Sequence, residues 1–442
     1  MSSALLKHVR EVALKLGASD VATEYIRTKT YMMRIANNEI SVYNSFSEGY
    51  VSVYVVFRER RAMAGTSEVR KGALSELVKR VSRMALESPP SDVYAPLPHT
   101  PLRYEDALLK PTMRWQGHDK MVEWAEAGIN SALKGKVSRV AGSLYFHNIR
   151  RTLQTTGCVE VEEVKNCVEL SLRAFVNKYS SGQFATCAAR EEDFRPEMVG
   201  DLASEIATLS EDPSDCDEGV YDAVIGPMTT ANLLEEVGYA ASAYLVDAQS
   251  SFLTGKLGSE VTNPSLSLAD DPTVIGSYGS TAFDAEGLPT RRTSIIKEGR
   301  LVNYLHNSWT AKKFGTESTA NAGLIVPHPF NLVVEGEGPR GTDLISKVDK
   351  GIFITNDWYL RYHNMRSGSF STLPRDGLFL IKNGSIERPI KGLRLSDNIL
   401  SLLKNIEAIS SDKYWIKWWE VNVPVYAPYL LVRGMRFTKS VT

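Results

Sequence analysis

Cysteine is scarce: four residues in 442, Cys158, Cys167, Cys187 and Cys216, with no Cys-x-x-Cys spacing. That excludes a disulfide framework and a zinc ribbon, and it fits a reducing compartment. An excess of either charge is also missing, since 51 Lys and Arg balance 52 Asp and Glu to a net charge of -1. The balance excludes the basic field that holds nucleic acid, and equally an acidic tail. No uncharged apolar run reaches the ~18 residues of a transmembrane helix. The opening segment to Gly17 carries Lys7, Arg10, Glu11 and Lys15 without a small-residue cleavage site, unlike a signal peptide. The expectation is a soluble, cytoplasmic protein with no membrane and no nucleic-acid partner.

What is present is the composition of a globular chain, 43% apolar and 23% charged, long enough for two or three domains. Leu5, Leu6, Val9, Val12, Ala13 and Leu16 recur at helical spacing before Gly17. Alternating segments follow: Tyr31 to Ala36, a turn at Asn37-Asn38, Glu39 to Tyr43, and Tyr50 to Phe57. Arg58 to Arg61 turns into Ala62 to Thr66, a second amphipathic helix runs through Leu74, Leu77, Val78 and Val81, and Pro89 to Pro101 reads as a linker.

The same order then returns: a helix from Asp119 to Leu133, a strand Val168 to Val176 that puts Cys167 on its polar face, Gln183 to Ala188, and a helix from Pro196. An offset of roughly 120 residues between matching elements indicates a duplicated helix, antiparallel strands, helix unit. The acidic stretch Glu211 to Gly219 marks a boundary. After it come a strand at Asp222 to Ile225, a helix from Pro227, hairpins with turns at Lys297-Glu-Gly and Lys382-Asn-Gly, and one long helix, Asp397 to Ile409. The fold class expected is α+β, divided as residues 1–102, 103–215 and a strand-rich, barrel-like region 216–442.

Several passages are specific: Ser250-Ser-Phe-Leu-Thr-Gly-Lys-Leu-Gly258, Ala269-Asp-Asp-Pro-Thr273, Phe283-Asp-Ala-Glu-Gly-Leu-Pro-Thr-Arg-Arg292, Gly299 to His306, Ser318 to Ala322 and Asn331 to Val334. Together with Asn37-Asn-Glu-Ile and Leu400 to Ala408, they resemble the TldD/PmbA family of peptide-processing metalloproteases, also called modulators of gyrase. The catalytic kind of subunit in that family carries His-Glu-x-x-x-His and a later cysteine that hold zinc, with the glutamate as general base. Here Leu234 stands at the first histidine, Glu235 at the glutamate and Tyr239 at the second histidine, and no cysteine follows Cys216. The chain therefore resembles the other kind of subunit, PmbA or TldE. The resemblance implies no metal in this chain, zinc in a catalytic TldD-like paralogue that pairs with it, and an extended or unfolded peptide as substrate. A homodimer is a further expectation. A self-sufficient hydrolase with an unrecognised site, and an interaction protein outside proteolysis, are the alternatives.

Taken as residues, Leu234, Val237 and Ala241 form a core stripe, while Glu235 and Tyr239 share another face, on which the simplest reading of Glu235 is a solvated carboxylate. His8, His99, His118, His147, His306, His328 and His363 contain no i, i+4 pair. Asp270-Asp271-Pro272 reads as turn chemistry. Phe283, Asp284, Gly287, Pro289, Arg291 and Arg292 make a tight charged turn that either grips a carboxylate of a peptide or partner, or pairs its own charges. Tyr414 to Trp419 interleaves aromatic and basic residues and reads as an interface or core hairpin.

Overall fold

The computed structural model describes residues 2–440; Met1, Val441 and Thr442, at the outer ends of the first and third expected units, lie outside it. The N-terminal half runs α1 (Ser2–Lys15), β1 (Asp20–Ala36), β2 (Glu39–Phe57), β3 (Arg60–Thr66), α2 (Lys71–Glu87), a short α3 (Asp106–Leu109), α4 (His118–Ala132), β4 (Arg139–Thr155), β5 (Glu160–Phe175), β6 (Ser181–Ala188) and α5 (Pro196–Leu209). The starts of β1 and β4, β2 and β5, and β3 and β6 are 119, 121 and 121 residues apart, so the order repeats as the periodicity predicts. The six strands form one antiparallel sheet, β3-β2-β1-β4-β5-β6. The two units meet at β1 and β4, from Ala22 opposite Thr155 to Ile35 opposite Gly142.

One face of the sheet carries the helices. α1 and α2 bury Leu6, Val9, Leu74, Leu77 and Val81 against Val51, Val53 and Val55 of β2. α4 and α5 bury Met121, Trp124 and Val199 against Val168, Leu170 and Leu172 of β5. A Cβ on Gly200 would lie 2.3 Å from the Gly128 carbonyl oxygen, so the crossing of α4 and α5 depends on glycine at that point.

The sequence pattern divides one strand that is continuous here, and at two other places the structure adds burial to what the pattern describes. Glu39 to Tyr43 and Tyr50 to Phe57 belong to a single strand, because their pairing to β1 runs on through the polar stretch between them. Cys167 does lie on the side of β5 that bears Lys165 and Glu169, but that side is covered by the C-terminal region and Cys167 is fully buried. The segment Pro89 to Pro101 has neither helix nor strand, yet Leu97 is buried against Ala22, Tyr54 and Val56.

After a two-residue strand, β7 (Ser214–Asp215), comes β8 (Gly219–Ile225), followed by α6 (Pro227–Ala240). The rest is strand-rich. A final strand, Val421–Lys439, pairs with four others along its length: Leu332–Glu335 in parallel, and β8, Leu393–Asn398 and Ile406–Trp418 antiparallel. The sheet thereby curls around α6, nearly all of whose residues are buried. The expected long helix at Asp397 to Ile409 is instead Ile399–Lys404, one short helix capped by the Asn398 side chain, with strands on both sides. Asp397 is held at the strand edge by the Arg436 N–H, and Ile406 enters the next strand, so sheet pairing overrides the apolar helical spacing. Among the described residues no helix is long and apolar enough to cross a membrane.

Candidate functional site

α6 starts where β8 ends. Pro227 occupies its first turn, and a Cβ on Gly226 would come within 3.0 Å of the Thr355 carbonyl, so helix and sheet are in close contact. Leu234, 1% exposed, points into the core as the apolar stripe predicts. Glu235 does not face solvent. It is 2% exposed, and its Oε1 accepts the backbone N–H groups of Asn422 at 2.8 Å and Val423 at 2.7 Å. The final strand wraps the helix at this point, which a helical wheel cannot anticipate. Burial raises the Glu235 carboxyl to about 7 in spite of those two donors, and raises Glu236 as well. The Tyr239 phenol is pushed up first by burial and then by the charges of Glu235 and Glu236.

This donor set does not fit a zinc ion. Leu234 offers no lone pair, Tyr239 is held as a neutral phenol, and the space beside Glu236, Tyr239, Phe252 and Tyr362 is about 20 Å³. Among the described residues no three His, Cys, Asp or Glu side chains converge. His306 is buried, bonded through Nδ1 to the Thr310 hydroxyl at 3.2 Å and lowered by burial to about 4, a structural histidine.

The Phe283 to Arg292 turn lies elsewhere, where the C-terminal region meets the other face of the N-terminal sheet. Phe283 and Asp284 are fully buried, and Phe283 bridges to Pro289 across the turn. Asp284 accepts from the N–H groups of Glu286 (3.0 Å), Leu288 (2.9 Å) and Ala322 (3.1 Å), and Glu286 accepts from the Ser308 N–H and hydroxyl. Burial raises the carboxyls of Asp284 and Glu286 to about 6 and about 8. The acids are thus engaged by backbone and hydroxyl donors rather than by the arginines beside them in sequence. Arg291 donates to the Ser318 carbonyl and Arg292 to Glu335 at 2.7 Å, and both line an open cleft of about 360 Å³ with Asn303 and Tyr304.

Sequence reasoning missed the side chain that anchors this turn. Arg151 of β4 lies 4.5 Å from the centre of the Phe283 ring, donates to the Phe283 carbonyl at 2.7 Å, and pairs with Glu24 at 2.6 Å. Its only sequence signal was an arginine in an alternating strand. Asp270 is likewise buried, accepting from the N–H groups of Phe330 and Asn331, each at 2.8 Å, whereas Asp271 forms the expected turn with Thr273. The Tyr414 to Trp419 cluster lies at a hairpin. Trp418 is buried, Trp419 is exposed, and with Trp358, Lys417, Arg173 and Arg34 they wall a cleft of about 570 Å³ against the sheet.

Residues 218–439, half of the chain, match the PmbA/TldA metallopeptidase C-terminal domain. A metalloprotease of Synechocystis sp. is 33% identical over 204 residues, covering 44% of this chain and 43% of that protein. A Haemophilus influenzae metalloprotease PmbA homologue is 23% identical over 426 residues, 91% of this chain and 89% of that one. The Synechocystis match and one to a Methanothermobacter metalloprotease, at 64%, each span less than two thirds of the relative. Among solved structures, a candidate modulator of a DNA gyrase from Thermotoga maritima superposes with a TM-score of 0.82 at 24% identity, covering 99% of this chain and 100% of that one. TldE of Thermococcus kodakarensis superposes with a TM-score of 0.80 at 18% identity, covering 98% and 100%.

Proposed function

The chain belongs to the PmbA/TldD metallopeptidase family, and within it we propose that this chain is the subunit without its own metal, pairing with a zinc-bearing TldD-like paralogue that cleaves extended or unfolded peptides. One observation carries the reading: the two positions where that family's catalytic helix offers imidazoles hold a buried leucine, Leu234, and a neutral phenol, Tyr239, with no room beside them for a hydrated ion. Glu235, which would stand for the general base, is engaged with the backbone of Asn422 and Val423 and is 2% exposed. The chain's own part is then to hold and enclose. Arg291 and Arg292 are the candidate contacts for a carboxylate of the peptide or of the partner.

The test compares three samples on an unfolded protein substrate: this chain alone, the catalytic paralogue alone, and the mixture. The proposal expects no tightly held zinc and no chelator-sensitive cleavage from this chain, and cleavage from the mixture well above that of the paralogue. One tightly bound zinc per chain, or chelator-sensitive cleavage by this chain alone, would overturn it.

A further inference from the structure

The cleft walled by Trp358, Trp418 and Trp419 takes no part in the function proposed above, and its floor has a definite relief. Arg34 of β1 lies opposite Ser143 of β4, and Ser143 opposite Ser171 of β5, so the three share one face of the sheet in a single row. The neighbouring rows stand taller, with Met32, Tyr145 and Glu169 on one side and Arg173 and Gln183 on the other. The two serines are the bottom of a trough, Arg34 stands at its β1 end, and Lys417 and the tryptophans form the opposite wall.

Of the charged residues that line the cleft, all but one are matched. Lys417 pairs with Glu169 at 2.5 Å and Arg173 with Asp376 at 2.6 Å. Arg34 is exposed and has no acidic partner among the described residues. The neutral groups leave a donor over rather than an acceptor. The Gln183 carbonyl already accepts from Asn356 at 2.8 Å and from the Trp358 indole at 3.0 Å. Trp418 is 3% exposed, and among the described residues its indole N–H has no acceptor. An occupant that brings acceptor oxygens and a single negative charge fits this inventory. A phosphate monoester, at about −1.5 to −2 charges near neutral pH, exceeds the one free cation and would meet Glu169 as well.

The aromatic wall adds the second half of the ligand. Trp358 is already engaged, with Arg375 4.6 Å and Arg173 5.1 Å from the centre of its ring. Trp419 packs edge-on against Trp358 and Trp418 yet stays 52% exposed, and beside it Tyr359 is 44% exposed. Tyr359 has a φ of +61°, and its N–H donates to the Glu420 carboxylate at 2.9 Å, so the backbone at this lip is held in a costly conformation that leaves both rings open to solvent. We propose that the cleft binds an aromatic carboxylate, its carboxylate on the Arg34 guanidinium at the end of the serine trough and its ring stacked on Trp419. The volume of about 570 Å³ suits a ligand of that size. The same chemistry is offered by the C-terminal aromatic residue of a peptide and by a free aromatic acid. Every group involved belongs to this chain, so the proposal does not rest on pairing with a zinc-bearing paralogue.

The experiment is calorimetric titration of the full chain, without the paralogue, with N-acetylphenylalanine, its amide, N-acetylleucine, phenyl phosphate and a short peptide ending in a free phenylalanine. Tryptophan emission provides a second readout, to which none of these ligands contributes. The expected result is a Kd for N-acetylphenylalanine at or below about 1 mM, with the amide and N-acetylleucine at least about tenfold weaker and phenyl phosphate no tighter. Arg34→Gln and Trp419→Ala, both at exposed positions, should each weaken the acid at least about tenfold with circular dichroism and melting unchanged. A peptide that binds more tightly than N-acetylphenylalanine identifies a peptide terminus as the source of the ligand, and one that binds equally or less tightly identifies the free acid; both support the site. Absence of binding by acid and peptide alike up to about 10 mM, an amide or N-acetylleucine as good as the acid, tighter binding of phenyl phosphate, or indifference to either variant would overturn the proposal. None of these outcomes bears on whether the chain pairs with a zinc-bearing subunit.

Discussion

Asp357 provides a sharp test of the energetics around α6. It is fully buried at the start of a strand beneath the helix, where its Oδ2 accepts from the Asn232 amide at 2.9 Å and the Thr372 hydroxyl at 2.6 Å. Among the described residues its Oδ1 has no hydrogen-bond partner, and neither has the neighbouring Thr229 hydroxyl. Burial, the dominant cause, raises the carboxyl from 3.8 to about 7, against the opposing hydroxyl and amide donors. At about 1.4 kcal/mol per pH unit, that rise corresponds to about 4 kcal/mol of stability. The sign follows from the direction. A carboxyl raised in the folded state contributes its full stability below pH 3.8, loses it progressively as pH rises through about 7, and contributes no further change above that. Asp357→Asn keeps an oxygen for Asn232 and Thr372, supplies an NH₂ to the Thr229 hydroxyl, and cannot ionise. Denaturant unfolding followed by tryptophan fluorescence between pH 4 and 8 should show the variant close to wild type at pH 4 and about 2–4 kcal/mol more stable at pH 8. A variant less stable than wild type at pH 8, or a difference that does not change with pH, would refute the reasoning.

Three further outcomes are expected. Leu234→His with Tyr239→His should lower stability by about 2–4 kcal/mol, because a buried leucine is lost, and should leave the chain alone without zinc-dependent cleavage of a peptide; metal-dependent cleavage would mean that α6 has been misread. Arg151→Met should cost about 3–5 kcal/mol by leaving Glu24 and Glu163 without their cation, and should speed proteolysis between residues 89 and 101; an unchanged unfolding midpoint would argue against the anchor. Gly287→Ala should destabilise by about 1–3 kcal/mol, since φ is +88° and the new Cβ would sit 2.7 Å from Val159 Cγ1, and calorimetry would register it as a lower melting temperature.

The sequence determined, by itself, whatever depends on residues close together along the chain. The helix after Gly226, the turns at Asn37-Asn38, Lys297-Glu-Gly and Lys382-Asn-Gly, and the recurrence of strands about 120 residues apart follow from Pro at a first turn, positive-φ residues and apolar periodicity. So does Leu234 as a core residue. The tertiary structure alone decided what covers each element. Glu235 is buried because the strand that begins at Val421 folds back over α6. Cys167 is buried because residues from beyond the sheet close over the polar side of β5, whereas on the equivalent side of β2 the cover reaches Tyr54 and Val56 and the stretch from Val42 to Tyr50 stays exposed or half-exposed. The apparent helix from Asp397 to Ile409 shrinks to Ile399–Lys404 for the same reason, its ends being claimed by distant strand partners. Periodicity reports that a residue has two kinds of side, whereas burial and raised carboxyls depend on contacts with residues far along the chain, which no local pattern encodes.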